Sequence, residues 1–302
     1  MAIQVLTGKA FEYALLLEFF ERLKNLTSVT IIDNDPLKNA KKCFESFHET
    51  EQSTYRITSS AAVNFLLDIE PRLSHGISEH DTLQLEIVSD QQGQSGDVRD
   101  VLLIRSLQNW EIGISAKNNH RAVKHSRLSN SIDFGEKWLG IPCSNEYFEE
   151  IEPIFSMLES IKKKDKSTKW TSIVDMHQKV YIPILEAFRK ELLRLDKENP
   201  VIVAERLVNY LIGNQDFYKV IKGKNKIEIQ GYNLHGTLNL PFEKIKPKAK
   251  IPKLKLPSRL VEVVYENEST TTLKVSLNEG WNISFRIHNA SSRVEPSLKF
   301  DI

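Results

Sequence analysis

Between Val101 and Lys117 the apolar and polar positions alternate as a β-hairpin requires. An apolar run, Val101 to Ile104, leads into a polar connection from Ser106 to Asn109 and a second strand from Trp110 to Lys117. Strand residues two apart share a face, so Glu111, Gly113, Ser115 and Lys117 point one way and Ile112, Ile114 and Ala116 the other. A two-residue turn at Leu107 and Gln108 sets Asp100 opposite Ser115, with Lys117 one pleat further along. A loop one residue longer brings Asp97 to that face instead.

Helical periodicity precedes the hairpin. Residues 8–25 place Phe11, Leu15, Leu16, Phe19, Phe20 and Leu23 towards a core, with Glu12 near the start. Asp35 and Pro36 open a second helix to about Phe47, and Ser59 or Ser60 caps a third through Leu73. Leu83 to Val88 reads as a strand, and the polar, glycine-bearing Asp90 to Asp97 as a turn or mobile loop. Downstream, Ser131 to Gly140, Tyr147 to Ile161, Trp170 to Leu195 and Pro200 to Leu211 read as helices.

After Gly213 the pattern becomes strand-like. Phe217–Ile221, Lys226–Tyr232 and His235–Leu240 form one set of short strands, and Leu260–Tyr265, Thr271–Leu277 and Trp281–Ile287 form a second. Between them Pro241 to Arg259 carries four prolines and mostly basic charge, which predicts an extended, exposed connecting arm. The boundary suggested is 1–213 for an α/β core and 214–302 for a β-rich region.

The hairpin's polar face is where chemistry enters. A carboxylate at Asp100, with Asp97 as fallback, suits a hard divalent cation such as Mg2+, which prefers oxygen ligands. A lysine beside such an ion can orient a water and offset charge on phosphorus, so Asp100, Ser115 and Lys117 together suit phosphodiester hydrolysis. Half-exposed strands carry such residues without any catalytic role too. Directly after Lys117 the chain presents a run of donors with no acidic residue before Asp133: Asn118, Asn119, His120, Arg121, Lys124, His125 and Arg127. Donors beside a metal site suit phosphate binding and base-edge hydrogen bonds. Arg286, His288, Asn289 and Arg293 add a second donor group near the C-terminus.

Composition limits the setting. The 302 residues, 40% hydrophobic and 27% charged, suffice for a soluble protein with a large core. A net charge of +1 makes the basic run a local feature, so DNA affinity would come from clustering. Cys43 and Cys143 lack metal-ligand spacing and fit a reducing cytoplasm, while no segment reads as an export signal or a membrane span.

Four stretches carry a resemblance: GDVRDV (Gly96–Val101), IGISAKNNHRAVKHSRLS (Ile112–Ser129), DFGEKW (Asp133–Trp138) and GWNISFRIHNASSRVEPSLKFDI (Gly280–Ile302). Together they resemble the HaeIII family of type II restriction endonucleases over nearly the whole chain. The resemblance implies an α/β fold of the PD-(D/E)XK type, a mixed sheet flanked by helices, with a β-rich C-terminal region for DNA binding. It implies Mg2+-dependent cleavage of both strands of duplex DNA at a short palindrome, GGCC for the family's namesake, leaving 5'-phosphate and 3'-hydroxyl ends. Asp100 is then the metal-binding aspartate and Lys117 the catalytic lysine. Ser115 stands where that superfamily usually has an acidic residue, so a second carboxylate must come from elsewhere. The candidates are Glu12, Asp133 and Glu136, Glu12 first because a first-helix glutamate often approaches the metal in the superfamily. A homodimer on the palindrome and a cognate DNA methyltransferase in the same system are the implied partners. The competing reading is a non-catalytic duplex-DNA-binding module of a restriction or repair system, with Asp100 only bracing the hairpin.

Overall fold

The computed structural model describes residues 3–76, 80–89, 97–119, 122 and 124–302. Its eleven strands among these residues form a six-stranded mixed sheet and a five-stranded antiparallel sheet, and the chain divides into two units, each built on one of them. This is the α/β class, with a helix-flanked mixed sheet and a C-terminal antiparallel one, that the sequence implied.

Unit one comprises residues 1–121 and 214–254. Its helices are α1 (Ile3–Leu23), α2 (Asp35–Glu45) and α3 (Glu49–Ile69). Its strands are β1 (Ser28–Ile31), β2 (Thr82–Ile87), β3 (Val101–Arg105), β4 (Trp110–Asn118), β6 (Phe217–Lys222) and β7 (Ile227–Tyr232), hydrogen-bonded in that order. Two neighbour pairs, β1 with β2 and β4 with β6, run parallel; the others are antiparallel. The apolar stripe of α1 and that of α3 close over one sheet face: Phe11, Leu15, Phe19, Val63 and Leu66 join Leu85, Leu103, Ile112 and Ile114 in a single cluster. Burying each such side chain contributes roughly 1.5–3 kcal/mol, which is what seats α1 and its polar residues against the hairpin.

Local chemistry sets the helix starts. Asn34 accepts the Leu37 N–H at 2.9 Å, and Pro36 occupies the first turn of α2. The third helix begins at Glu49, ten residues before Ser59, because Glu51 reaches back to the His48 N–H in a capping box. Ser59, fully buried, is interior to that helix. His235–Leu240, expected as a strand, is instead a turn: Asp216 accepts the backbone N–H groups of His235 at 2.7 Å and Thr237 at 2.8 Å.

Unit two comprises residues 122–213 and 255–302. Strands β5 (His125–Leu128), β8 (Leu260–Tyr265), β9 (Thr272–Leu277), β10 (Asn282–Asn289) and β11 (Leu298–Asp301) form its sheet in the order β5-β11-β10-β9-β8. Its helices are α4 (Asn145–Lys164), α5 (Ile182–Glu198) and α6 (Ile202–Ile212). Phe134, Trp138, Phe188, Phe285 and Phe300 make an aromatic core, with Phe188 4.8 Å from Phe134 and 5.0 Å from Phe300 between ring centres.

The units therefore do not divide at 213. β6 pairs in parallel with β4, Gly113 opposite Phe217, which carries residues after 213 back into the first sheet. β5 pairs with β11, Leu128 opposite Leu298, which carries part of the donor run into the second. The basic, proline-rich stretch is no free arm either. Asn239 and Asn233 bond the backbone of Ile251, whose side chain covers Gly231; a Cβ on that glycine would sit 2.7 Å from Ile251 Cγ2.

One buried ion pair braces the hairpin from below. Arg105, fully buried at the end of β3, lies 3.6 Å from the carboxylate of Asp81 and donates to the backbone carbonyls of His75 and Leu73. Asp81→Ala strips a buried guanidinium of its counter-charge and should cost about 3 kcal/mol of stability. Urea unfolding reads this directly, and a loss under about 1 kcal/mol would show that the carbonyls alone hold Arg105.

Candidate active site

The site grows from the register of β3 on β4. The connection runs through a 3-10 turn, Ser106–Gln108, and Asn109 in the left-handed region at φ 48°. Four residues, like two, keep the pairing even, so Val101 faces Ile114 and the Asp100 N–H donates to the Ile114 carbonyl at 2.8 Å. Asp100 and Ser115 thus meet across the ladder as the alternation predicted.

Three donors converge on one oxygen of Asp100. Its Oδ2 accepts from the Ala116 N–H at 2.7 Å, the Ser115 hydroxyl at 3.3 Å and Lys117 Nζ at 3.4 Å, and none of these bonds falls on Oδ1. Ser115, 2% exposed, is thereby a donor that fixes Asp100 and takes no acidic role. Asp100 and Lys117 stay partly open to solvent, each with a side chain 23% exposed.

The second carboxylate at this place is Glu12. The α1 stripe buries it to 6% exposure, where it accepts from Lys9 Nζ at 3.0 Å. Its carboxyl is pushed up to about 8, first by burial and next by the negative charge of Asp100, with Lys9 and Lys117 pulling the other way. Lys9 was not anticipated, although its i, i+3 spacing from Glu12 on a helix puts both on one face.

Asp97 takes a different task. It grips the Arg99 side chain through both oxygens, at 2.9 and 2.8 Å, and accepts the Arg99 N–H. Arg99 also pairs with Glu111 and lies across Gly113, where a Cβ would sit 2.0 Å from Arg99 Cδ. Asp97 therefore serves Arg99, and the even loop leaves the position opposite Ser115 to Asp100. In unit two, Asp133 accepts the backbone N–H groups of Glu136 at 2.9 Å and Cys143 at 3.1 Å, so its oxygens organise the turn that carries Trp138.

The donor run is dispersed. His120 and Arg121 lie outside the described residues. Asn118 ends β4 and bonds the Tyr55 hydroxyl, while Asn119, at φ 55°, donates its backbone N–H to the Lys222 carbonyl at 2.7 Å. Lys124 turns inward: Nζ donates to the Tyr210 carbonyl at 2.7 Å and stands 3.8 Å from its ring centre. The remaining candidates belong to the solvent face and edge of the second sheet. Arg127 is exposed on β5, Arg286 and His288 are on β10 with Asn289 at its end, and Arg293 is exposed in the turn beyond.

Comparison with known proteins fixes the family. The model of the HaeIII restriction endonuclease family matches residues 8–302. The chain belongs to this family. The type II restriction enzyme HaeIII of Haemophilus aegyptius is 42% identical over 298 residues, covering 98% of this chain and 92% of that enzyme. No solved structure matches. The match to the HaeIII family includes Glu12, Asp100 and Lys117 within its span, and the restriction-endonuclease activity it denotes is a site-specific deoxyribonuclease. No helix among the described residues is long and apolar enough to cross a membrane.

Proposed function

We propose that this chain is a Mg2+-dependent type II restriction endonuclease of the PD-(D/E)XK kind, cutting both strands of duplex DNA at a short palindrome. GGCC is the sequence expected from the family resemblance. The observation that carries the reading is the convergence of Ala116 N–H, Ser115 and Lys117 on Asp100 beside the buried Glu12.

The donor set fits the ion. Two carboxylates close enough for one to raise the other's affinity for a proton also favour a divalent cation bound between them, and both offer hard oxygen ligands. Asp100 and Glu12 would hold Mg2+, which when bound supplies positive charge to the scissile phosphate and lowers the pKa of water. Ser115 and the Ala116 N–H keep the Asp100 carboxylate from rotating. Lys117, in reach of the same carboxylate, would orient the attacking water and offset charge on the pentacovalent phosphorus. Water oxygen bonds to phosphorus as the bond to the 3'-oxygen breaks, leaving 5'-phosphate and 3'-hydroxyl ends. Glu12 replaces the acid usual at the Ser115 position. Duplex contacts are assigned to Asn118, Asn119, His120, Arg121, His125, Arg127, Arg286, His288, Asn289 and Arg293, with Lys124 supporting them from inside unit two.

A palindrome calls for two symmetry-related sites, hence a homodimer, and a cytoplasmic enzyme of this kind requires a methyltransferase to protect its host. Digestion of a plasmid of known sequence with and without Mg2+, and then mapping of the ends, is the direct test. Discrete fragments ending within GGCC, only with Mg2+, are the expected result. Intact but retarded DNA would leave a binding module in place of a nuclease.

A further inference from the structure

Unit two contains a cluster that the hydrolytic chemistry at Asp100 does not use; its histidines, counted above among the duplex donors, would be taken up by an ion here. The pairing of β11 sets Asp301 opposite both His125 on β5 and Arg286 on β10, with His288 two residues further along the same face of β10. Both imidazoles aim at one atom: His125 Nδ1 is 2.6 Å and His288 Nε2 2.9 Å from Asp301 Oδ1. The three ligand atoms all lie within 4.8 Å of one another. Arg286 donates at 2.6 Å to the other oxygen, Oδ2, which fixes the carboxylate while leaving Oδ1 to the histidines.

The second observation is the far side of His288. Its Nδ1 lies 2.8 Å from the Asn289 carbonyl oxygen. A neutral imidazole has one N–H, yet both nitrogens of His288 stand at hydrogen-bond distance from oxygen acceptors. An imidazolium donating from both nitrogens satisfies these contacts, and so does a neutral ring with a cation between Nε2 and Oδ1; in the second case Nδ1–H donates to the Asn289 carbonyl, the second contact that sets the tautomer of metal-bound histidines.

We propose that His125 Nδ1, His288 Nε2 and Asp301 Oδ1 bind a divalent transition ion of the Zn2+ class, with a fourth position open to solvent. Two imidazoles and one carboxylate are borderline ligands that select such an ion over Mg2+. Ligand bonds of about 2.0–2.2 Å at tetrahedral angles need neighbouring donors about 3.3–3.5 Å apart, so each imidazole nitrogen must part from Oδ1 by less than about 1 Å, while the two nitrogens already lie within 4.8 Å of each other. The exposed His125 side chain, 51% accessible, has room for that shift. Three hydrogen-bonded strands supply the ligands, over a floor of buried Ile287 and Phe300, so the site is largely built before the ion arrives.

The test is titration of the metal-free full-length chain with Zn2+, and with Co2+ to read the ligand field by absorption. One ion per chain should give a tetrahedral Co2+ spectrum, and that signal should persist in Asp100→Asn, which removes the separate all-oxygen site. His288→Ala and His125→Asn, with circular dichroism as the fold control, should each weaken binding at least about 100-fold, since removing a ligand exceeds the effect of an outer contact. His125 is exposed enough for its substitution to leave the fold intact. A tetrahedral signal that survives both histidine substitutions, disappears with Asp100→Asn, or is absent from the wild type would overturn the proposal. Loss of DNA cleavage for other reasons does not touch this readout.

Discussion

Lys117→Ala abolishes strand cleavage, with kcat down by about 10^3-fold or more, while duplex affinity measured in EDTA stays within about tenfold. The asymmetry comes from where the ammonium stands. Lys117 Nζ is 3.4 Å from Asp100 Oδ2, inside the proposed reaction site, whereas most candidate duplex contacts lie on other elements. An interaction made chiefly as charge develops on phosphorus lowers kcat without weakening the ground-state complex. The substitution has a second consequence. Lys117 is one of the two cations that lower the Glu12 carboxyl, so its loss raises Glu12 further, but the same loss removes a positive charge that would repel Mg2+. Metal occupancy should therefore survive in Lys117→Ala, and raising Mg2+ should not recover turnover. Full turnover in Lys117→Ala removes the lysine from the chemistry, and recovery by Mg2+ alone reduces it to a charge that tunes Glu12.

How far the sequence reached depends on the range of the interaction concerned. The Asp100 and Ser115 pairing was legible because one even-numbered loop and strict alternation fix it locally. Glu12 was legible only through the family resemblance, since nothing near it in sequence tells that α1 crosses the hairpin. The strand of β5 was hidden because His125, Ser126 and Arg127 read as a polar loop, and only the distant β11 turns their alternation into a buried and an exposed face. The domain boundary was illegible for the same reason. The parallel partner of β4 lies about a hundred residues downstream, and no local pattern announces a parallel crossover that long. The charged residues were the least legible of all. Lys124 read as a surface donor, yet an aromatic ring and a carbonyl hold it inside unit two; Asp97 read as a ligand, yet Arg99 two residues away claims both its oxygens. Local alternation assigns a charge its face of the strand, and only tertiary packing assigns it a partner.

Glu12→Gln separates the fold from the chemistry. The Glu12 carboxyl rises from its ordinary 4.5 to about 8 in the metal-free fold, so the folded chain holds this proton more tightly than the unfolded one. A group raised in this way contributes stability that is complete below its unfolded value and is lost as pH rises through its folded value. Metal-free wild type should therefore lose stability from about pH 5 to about pH 8, while Glu12→Gln, neutral throughout, keeps it. Near pH 7 the variant should be more stable by on the order of 2 kcal/mol, and near pH 5 the two should almost coincide. Mg2+ reverses the order, because it needs the ionised carboxylate. Wild type should release about one proton per ion bound near pH 7 and bind more tightly towards pH 8, whereas Glu12→Gln should do neither and should cut DNA about 10^3-fold more slowly. Chemical denaturation at the two pH values, with calorimetric proton release on Mg2+ binding, measures both halves. Equal stability at both pH values would remove the charge conflict between Glu12 and Asp100, and normal cutting by Glu12→Gln would place the second carboxylate elsewhere. The two outcomes are expected together because one carboxyl, buried on α1 within the field of Asp100, would be a burden on the metal-free fold and a ligand in the metal-loaded one.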